Sequence, residues 1–358
     1  MIEVRTTHAR YPVIFADDVA DVARAVQDAA PKGRLLIFSD ENVAGHYLSP
    51  LQDALEAAGR SVRRFVVAPG EASKSVERAA ALWAEVFSGE VDRNDTVVAL
   101  GGGVVGDLAG FIASTTMRGL AFVQVPTSML AMSDAAIGGK TGINVAAGKN
   151  LVGAFHQPRA VIAWTNSLHT LPKRELSSGM AEVIKSALID GQDSVDLFRK
   201  VAAKAMEGDT DAIRECARIG AGLKARIVSE DELEHGVRSY LNLGHTFAHA
   251  IEHASGYGSW THGEAVAAGM VLAAEYSRDI GAADDSVVEL VRDLVRAVGL
   301  PDTPPRMKLS DWVEPIFRDK KRAGDEVKLI LLRGPGEVFG KATSFDVLSS
   351  WLEKNHAG

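Results

Sequence analysis

Histidines recur every four residues in one stretch of this chain, at His245, His249 and His253. In an α-helix this spacing covers about 80° of one face, because successive residues turn by about 100°. Phe247 and Ile251 fall on the opposite face, so the histidines lie outside the apolar stripe. Imidazoles gathered on a polar face are ligands that a divalent transition metal accepts. The stretch therefore indicates a metal site, and a solvated histidine stripe is the alternative.

Two other segments carry the further groups that such a site needs. His262 precedes a very apolar helical pattern, and Glu182 shares a predicted helix face with Lys185. A carboxylate completes the sets of two or three histidines that bind zinc in proteins. Cationic and amide side chains precede the histidines: Lys224, Arg238 and Asn242. This mixture suits an acidic, hydroxylated small molecule, although spacing alone does not choose which histidines bind the metal.

A glycine-rich turn follows the apolar, β-branched run 96–100. Gly101, Gly103 and Gly106 have the G-x-G-x-x-G spacing before a helical pattern. Such glycines let the backbone approach a pyrophosphate, which the helix N-terminus binds through its N–H groups. The acidic residue expected about 20 positions later is missing, so the ordinary first-βαβ motif fails; Asp40, after another predicted strand, offers a ribose-binding carboxylate instead. The alternative is that these glycines only permit tight packing.

A second polar, glycine-rich stretch comprises residues 138–144 and 148–150. Its spacing does not match a P-loop, but it contains Lys140, Lys149 and several backbone amides. We expect an exposed loop that binds an anionic or polyhydroxylated ligand. A solvated loop without a ligand is the alternative.

Two kinds of pattern divide the chain near Pro172. Before it, short apolar runs alternate with helical patterns, which predicts a parallel sheet covered on both faces. The predicted strands are 34–38, 61–67, 96–100 and 122–125, and the predicted helices are 18–29, 51–58, 75–87 and 108–114. After it, amphipathic helices are predicted at 174–188, 194–206, 211–229, 239–254, 263–280 and 285–298, with a strand only at 327–332. The sequence therefore predicts an α/β domain over 1–170 and a mostly α-helical domain over 171–358.

Composition excludes several classes of partner. The 47 acidic and 39 basic residues give a net charge of -8 without a dense Lys/Arg run, so neither nucleic acid nor a membrane surface is expected as a partner. Cys216 is the one cysteine, which excludes an intrachain disulfide and fits a reducing compartment. The N-terminus lacks a signal-peptide core, and the apolar stretch 265–274 is shorter than the roughly 20 residues of a spanning helix. We expect a cytoplasmic protein.

Short segments distributed over nearly the whole chain occur together in one order. They are 100–107, 124–127, 137–141, 148–150, 153–158, 181–185, 243–246, 262–266 and 319–321. Together they resemble the 3-dehydroquinate synthase family of the sugar phosphate cyclase superfamily. The resemblance implies an N-terminal Rossmann-like NAD-binding α/β domain, a C-terminal mostly α-helical domain that binds metal and substrate, a cleft between the two, and a homodimer. Four positions depart from the family pattern: Thr116, Ser128, Ser133 and Trp164.

The resemblance also implies residue roles. The metal ligands would be Glu182, His245 and His262, with Zn²⁺ or Co²⁺ as the ion. NAD positions would be Asp40, Glu71, Lys74, Gly102, Gly103, Val104, Asp107, Thr127, Ser128, Lys149 and Thr170. Substrate positions would be Arg118, Asp134, Lys140, Asn150, Lys185, Lys224, Arg238, Asn242, His249 and Lys320 or Lys321. Glu234 and His249 would transfer protons, with Lys140, Lys185, Arg238 and Asn242 also catalytic, and Arg118 would reach across the dimer.

The implied activity is that of the shikimate pathway: 3-deoxy-D-arabino-heptulosonate 7-phosphate becomes 3-dehydroquinate and phosphate. NAD is reduced and reoxidised within each turnover, so no net oxidation occurs. Segment 181–185, with Lys224, Asn242 and His249, favours this activity over that of related cyclases. The alternatives are another sugar phosphate cyclase, a metal-dependent polyol or glycerol-type dehydrogenase with net NAD reduction, or an NAD-binding scaffold without turnover.

Overall fold

A computed structural model of the chain describes residues 1–256, 259–317 and 326–356. These residues form two compact units. The first contains Met1–Leu171 and Lys224–Leu233, and the second contains Pro172–Leu223 and the described residues from Glu234 onward. Within the described ranges, no helix combines the length and the apolar character needed to cross a bilayer.

A twisted parallel sheet forms the centre of the first unit. The strands of this unit are β1 (Ile2–Arg5), β2 (Arg10–Ala16), β3 (Leu35–Asp40), β4 (Val62–Val67), β5 (Thr96–Gly101), β6 (Ala121–Pro126), β7 (Lys140–Val145), β8 (Gly148–Phe155) and β9 (Ala160–Trp164). Seven of them form one sheet in the order β1-β2-β9-β6-β5-β3-β4, parallel except for the β1–β2 pair. Strands β5 and β9 are buried at every position, as expected for a sheet with both faces covered.

Helices cover both faces of this sheet. They are α1 (Val19–Ala29), α2 (Glu41–Val43), α3 (Ser49–Ala57), α4 (Val76–Phe87) and α5 (Gly103–Thr115). Along β3, Leu36 packs in a cluster with residues of α4 and α5, whereas Leu35 packs in a second cluster with residues of α1 and α3. Successive strand residues point to opposite faces, so each face has its own core. The predicted α/β class with a covered parallel sheet is confirmed.

The polar stretch 138–150 was predicted as an exposed loop, and this prediction was wrong. It forms the antiparallel hairpin of β7 and β8, with Gly142 opposite Gly153. A Cβ on Gly153 would lie only 2.1 Å from the carbonyl oxygen of Thr141, so the two backbones approach where only glycine fits. Glycine and lysine hide the alternation by which a strand is recognised, and for this reason the hairpin was not predicted.

Helices dominate the second unit. They are α6 (Lys173–Asp190), α7 (Gln192–Met206), α8 (Thr210–Glu230, whose last turns belong to the first unit), α9 (His245–Ala254), α10 (His262–Asp279), α11 (Asp285–Ala297), α12 (Leu309–Ile316) and α13 (Phe345–Asn355). The predicted strand at 327–332 is β10 (Glu326–Leu332), and it pairs antiparallel with β11 (Val338–Ser344). The expectation of a single strand was wrong, because β11 buries only Thr343 and lacks an apolar pattern.

The helix predicted over 239–254 is interrupted. A 3-10 turn covers Val237–Asn242, and α9 begins only at His245. Between them, Gly244 has a left-handed backbone with φ of 79°. A Cβ on Gly269 of α10 would lie 2.2 Å from the Gly244 carbonyl oxygen, so the chain turns where the two backbones meet. The amphipathic pattern of residues 239–254 continues through this break, and therefore the sequence alone predicted one helix.

The Gly153→Ala substitution should destabilise the first unit. The added methyl group meets backbone rather than a flexible side chain, so we expect the free energy of unfolding to fall by about 1–3 kcal/mol. Gly222→Ala in α8 is the matched control: its Cβ would meet nothing within 4 Å. Replacing this helix-interior glycine should raise stability by about 0.5–1 kcal/mol. Urea titrations measure both, and equal effects of the two variants would contradict the close backbone approach.

Candidate active site

Three helices of the second unit bring a carboxylate and two imidazoles together. Glu182 of α6, His245 at the start of α9 and His262 at the start of α10 each offer a ligand atom, all within 4.8 Å of one another. The Nε2 atoms of His262 and His245 lie 3.4 Å and 3.7 Å from Glu182 Oε1. These are the three residues that the resemblance assigned to the metal.

The chemistry of this donor set fits a divalent cation. The side chain of Glu182 is 1% exposed, and within the described residues neither of its oxygens accepts a well-formed hydrogen bond. The Lys185 ammonium, one turn later, pairs with Oε2. Burial opposes ionisation of Glu182, but Lys185, His262 and His245 outweigh it and hold the pKa of this carboxyl well below its usual range. One anionic oxygen ligand and two imidazoles are a common set for zinc and related ions.

Acceptor oxygens near the Nδ1 atoms orient the two imidazole rings. Nδ1 of His245 lies 3.3 Å from the Leu243 carbonyl oxygen, and Nδ1 of His262 lies 3.5 Å from Glu252 Oε2. With each Nδ1 facing an acceptor, each Nε2 can direct its lone pair toward the shared position. Burial and the Lys185 charge lower the pKa of His245 to about 3, which keeps it neutral. Burial also opposes protonation of His262, but Glu182 and Glu252 prevail and raise its pKa to about 10 in the metal-free protein.

A capping network holds the first turn of α10, where His262 lies. Thr261 Oγ1 accepts from the Glu264 N–H at 3.2 Å, and Glu264 Oε2 accepts from the Thr261 N–H at 2.8 Å. Arg174 of α6 donates to both Glu264 oxygens, at 2.8 Å and 2.7 Å. A bidentate guanidinium–carboxylate pair fixes direction as well as distance. His262 is therefore held in register with the helix that carries Glu182.

Close backbone contacts set the helix spacing around the three ligands. A Cβ on Gly263 would lie 1.8 Å from the Ser178 carbonyl oxygen, and the Gly263 N–H donates to Ser178 Oγ at 3.1 Å. Gly269 and Gly244 make the equivalent approach between α10 and α9. Glycine at 263 and 269 thus lets α10 pack directly against the backbone of both neighbouring helices.

Candidate proton-transfer and substrate residues of the second unit lie near these ligands in sequence. The rings of His249 and His245 are perpendicular with centroids 5.7 Å apart, but His249 is not in the ligand set. Asn242 Nδ2 donates to Glu234 Oε1 at 3.3 Å. Arg238, which lies between Glu234 and Asn242 in the sequence, is 1% exposed. Glu234 has a φ of 64°, a backbone conformation that costs energy in non-glycine residues and is found preferentially at functional sites.

The predicted dinucleotide turn in the first unit caps α5. Gly102 is the N-cap, and no side chain accepts from the first turn. The N–H groups of Gly103 and Val104 lack helical acceptors, as at any helix start, and face an anion most favourably. A Cβ on Gly102 would meet Ser128 Oγ at 3.4 Å, an ordinary contact, whereas one on Gly106 would lie 2.9 Å from the Gln124 side chain. Gly106 thus packs tightly, while Gly102 leaves the helix start accessible.

The start predicted for this helix, residue 108, was wrong. The helix begins at Gly103, because the glycines that were assigned to a loop are compatible with its first turns.

A buried lysine connects several of the NAD and substrate candidates. Lys74 is 2% exposed and donates to Asp107 Oδ2 at 2.7 Å and to Asn150 Oδ1 at 2.6 Å. Asn144 accepts from the Asn150 N–H and donates to Glu71, both at 2.9 Å. Burial raises the pKa of Asp107, and Lys74 opposes this shift. Asn144 was not among the predicted site residues, although it lies in the glycine-rich stretch that was.

Asp40 and Thr170 lie on other elements of the first unit. Asp40 ends β3, and its Oδ1 accepts from two backbone N–H groups of α2. Thr170 Oγ1 lies 2.8 Å from the Tyr47 hydroxyl. Tyr47 belongs to a π-helical turn, Ala44–Leu48, a conformation that is frequent at functional sites.

Two substrate candidates of the first unit form an ion pair. Lys224 Nζ lies 2.5 Å from Asp134 Oδ1, and Asp134 lies in a second π-helical turn, Ala131–Ala135. Arg118 has a φ of 68° and follows Met117, which is also left-handed. The remaining candidates of this unit are Thr127 after β6, Lys140 on β7 and Lys149 on β8. Lys320 and Lys321 lie outside the described residues.

With this fold, the sequence matches a family of sugar phosphate cyclases over most of its length. The family models for the N-terminal and C-terminal parts of 3-dehydroquinate synthase match residues 64–178 and 179–322. The 3-dehydroquinate synthase of Acidithiobacillus ferrooxidans is 42% identical over 352 residues, which cover 97% of this chain and 97% of that protein. The chain belongs to the 3-dehydroquinate synthase family.

Solved structures of other cyclases share the fold. A 2-deoxy-scyllo-inosose synthase, complexed with carbaglucose-6-phosphate, NAD⁺ and Co²⁺, is 26% identical with a TM-score of 0.90, over 98% of this chain and 99% of that one. The 2-epi-5-epi-valiolone synthase of Streptomyces hygroscopicus, with NAD⁺ and Zn²⁺ bound, is 26% identical with a TM-score of 0.86, over 96% and 97%. Of these two relatives, one was solved with NAD⁺ and Co²⁺ and the other with NAD⁺ and Zn²⁺.

The Gly263→Ala substitution should release the metal. Its methyl group would displace the first turn of α10 from α6, so His262 and Glu182 would no longer face one position. We expect the content of Zn²⁺ or Co²⁺ per chain, measured by elemental analysis after gel filtration, to fall well below that of the wild type. Gly222→Ala is again the control. Full metal content in the Gly263→Ala protein would contradict this account of the packing.

Proposed function

We propose that this chain is a 3-dehydroquinate synthase, a lyase that converts 3-deoxy-D-arabino-heptulosonate 7-phosphate into 3-dehydroquinate and phosphate. The observation that carries the proposal is the buried cluster of Glu182, His245 and His262 in a chain of this family. When bound, NAD accepts a hydride and later returns it, and a Zn²⁺ or Co²⁺ ion stabilises negative charge on substrate oxygens.

The residues of this chain divide the binding of these groups between the two units. Glu182, His245 and His262 of the second unit would hold the cation. In the first unit, the exposed N–H groups at the start of α5 would bind the NAD pyrophosphate. Asp40 keeps Oδ1 on the backbone of α2 and would accept from ribose hydroxyls through its other oxygen. The Lys74 network of Glu71, Asp107 and Asn150 would hold the remaining cofactor contacts in place.

Cationic side chains would recognise the two acidic ends of the substrate. A carboxylate and a phosphate need permanently charged donors, and Arg118, Lys140, Lys224 and Arg238 provide them. Asp134 would orient Lys224 through their ion pair, and buried Lys185 would stay charged beside Glu182.

Proton transfer would fall to Glu234 and His249. Glu234 accepts from Asn242, so the amide orients a carboxylate that can hold or release a proton. The exposed imidazole of His249, one turn after His245, would act near the leaving phosphate together with Asn242. Lys320 would add a further cation.

We also propose a cytoplasmic homodimer in which Arg118 contributes to the partner's site. Dependence on NAD supports a location inside the cell. So does Cys216, whose thiol is buried and has its pKa raised to about 12 by that burial, an inert group that suits a reducing compartment. The left-handed backbone of Arg118 supports a functional role for this residue, which we assign to the site of the partner protomer. Light scattering coupled to gel filtration tests the dimer.

One assay separates the proposed reaction from its alternatives. The protein is incubated with Co²⁺, the heptulosonate phosphate and an excess of NAD over this substrate, while inorganic phosphate and NADH absorbance are followed together. We expect one phosphate per substrate without lasting NADH. NADH that accumulates in proportion to substrate would identify a dehydrogenase, and absence of both products would contradict the proposed reaction and favour either a scaffold or a cyclase for another sugar phosphate.

Glu182→Gln should abolish turnover because the neutral amide is a poor metal ligand and leaves Lys185 without its anion. Metal content should fall with it, whereas wild-type protein stripped by a chelator should regain activity with added Zn²⁺ or Co²⁺. Glu175→Gln is the matched control, since Glu175 is an exposed carboxylate on the same helix. Unchanged phosphate release in Glu182→Gln would refute the metal assignment.

A further inference from the structure

One carboxylate beside the metal ligands has no role in the assignments above. Glu252 lies on α9 seven residues after His245, a spacing that returns to nearly the same helix face. Its Oε2 atom is 3.5 Å from Nδ1 of His262, and its side chain is 15% exposed. Glu252 was not among the predicted site residues, although its spacing of seven residues from His245 is visible in the sequence.

The two ring nitrogens of His262 face two different carboxylates. Nε2 faces Glu182 at 3.4 Å, and Nδ1 faces Glu252 at 3.5 Å. We infer that Glu252 is a positioning residue for the metal, accepting the Nδ1–H of His262 so that the Nε2 lone pair points at the cation. This inference rests on the proposed metal site. A carboxylate in this place also makes the imidazole a stronger donor.

Charge gives Glu252 a second effect on the same site. The Lys185 ammonium pairs with Glu182 and repels any cation that Glu182 binds. Glu252 supplies a second negative charge on the far side of His262. Nδ1 of His245 faces the neutral Leu243 carbonyl oxygen, whereas Nδ1 of His262 faces the anionic Glu252 carboxylate. Its removal should therefore weaken metal binding more than loss of one neutral hydrogen bond would.

The test compares three variants of the full chain. Glu252→Gln keeps an acceptor but removes the charge, Glu252→Ala removes both, and Glu289→Gln changes an exposed carboxylate on α11 as the control. Dissociation constants for Zn²⁺ and Co²⁺ are measured by competition with a chelator, with the visible spectrum of the Co²⁺ form and the melting temperature of the metal-free protein alongside. We expect Glu252→Gln to bind about 10–100-fold more weakly, Glu252→Ala more weakly still, and Glu289→Gln as the wild type does.

The outcomes separate this inference from the proposed function. If wild-type protein binds neither ion, the metal site itself is wrong and the inference falls with it. If the wild type binds and Glu252→Gln binds equally tightly, the metal site stands and the role of Glu252 is refuted. If Glu252→Gln lowers the melting temperature of the metal-free protein while its dissociation constants are unchanged, Glu252 only ties α9 to α10. A weaker dissociation constant with an altered Co²⁺ spectrum and an unchanged melting temperature supports the inference.

Discussion

The second unit depends on the direct backbone contact of α10 with its two neighbours. Gly263 meets α6 at Ser178, and Gly269 meets α9 at Gly244, each at a distance that excludes any side chain. Closely packed helices with small residues at the contact have little freedom to rotate or slide. The ligand atoms need an accuracy of a few tenths of an ångström, and this packing provides it before any ion or substrate binds. The capping network of Arg174 and Glu264 fixes the same first turn of α10 through side chains.

The second constraint is the free-energy cost of burying charged side chains, which ion pairs and hydrogen bonds offset. Glu182 and Lys185 are both 1% exposed, and either alone would be costly in such an environment. In the first unit, Lys74 is similarly enclosed and shared between Asp107 and Asn150. In both units the charged groups are placed where polar ligands are expected, so the protein maintains a desolvated polar site in advance. Charged groups held in this way would bind a small acidic molecule with little rearrangement, despite the net negative charge of the whole chain.

The sequence predicted those parts of the fold whose residues carry a clean period. The strands β3 to β6 and most helices were predicted within a few residues because their apolar faces repeat regularly. The β7–β8 hairpin and β11 were not, since glycines and exposed polar residues replace the alternation. The strands β1, β2 and β9 were also missed; β9 is a run of five apolar residues, which is too short for its period to distinguish a strand from a helix. The break at Gly244 was also invisible, because its cause is the backbone of α10, about 25 residues further along the chain. Arg174 was missed for the same reason, because its contact with Glu264 exists only in the fold. Glu252 was missed although its spacing from His245 is visible in the sequence, because only the fold shows which imidazole nitrogen it faces.

His245 and His262 are each the first residue of a helix, and this shared placement has an electrostatic consequence. The start of a helix carries a partial positive charge of about half a unit from its aligned peptide dipoles. Both partial charges lie beside the ligand side chains of the cluster, where they favour an electron-rich oxygen such as those of Glu182. A hydroxyl group that loses its proton at this position would be stabilised by the backbone of α9 and α10 as well as by the side chains. Through this placement the starts of the two helices would add to the positive potential that a bound cation supplies, whichever of the two metal ions is present.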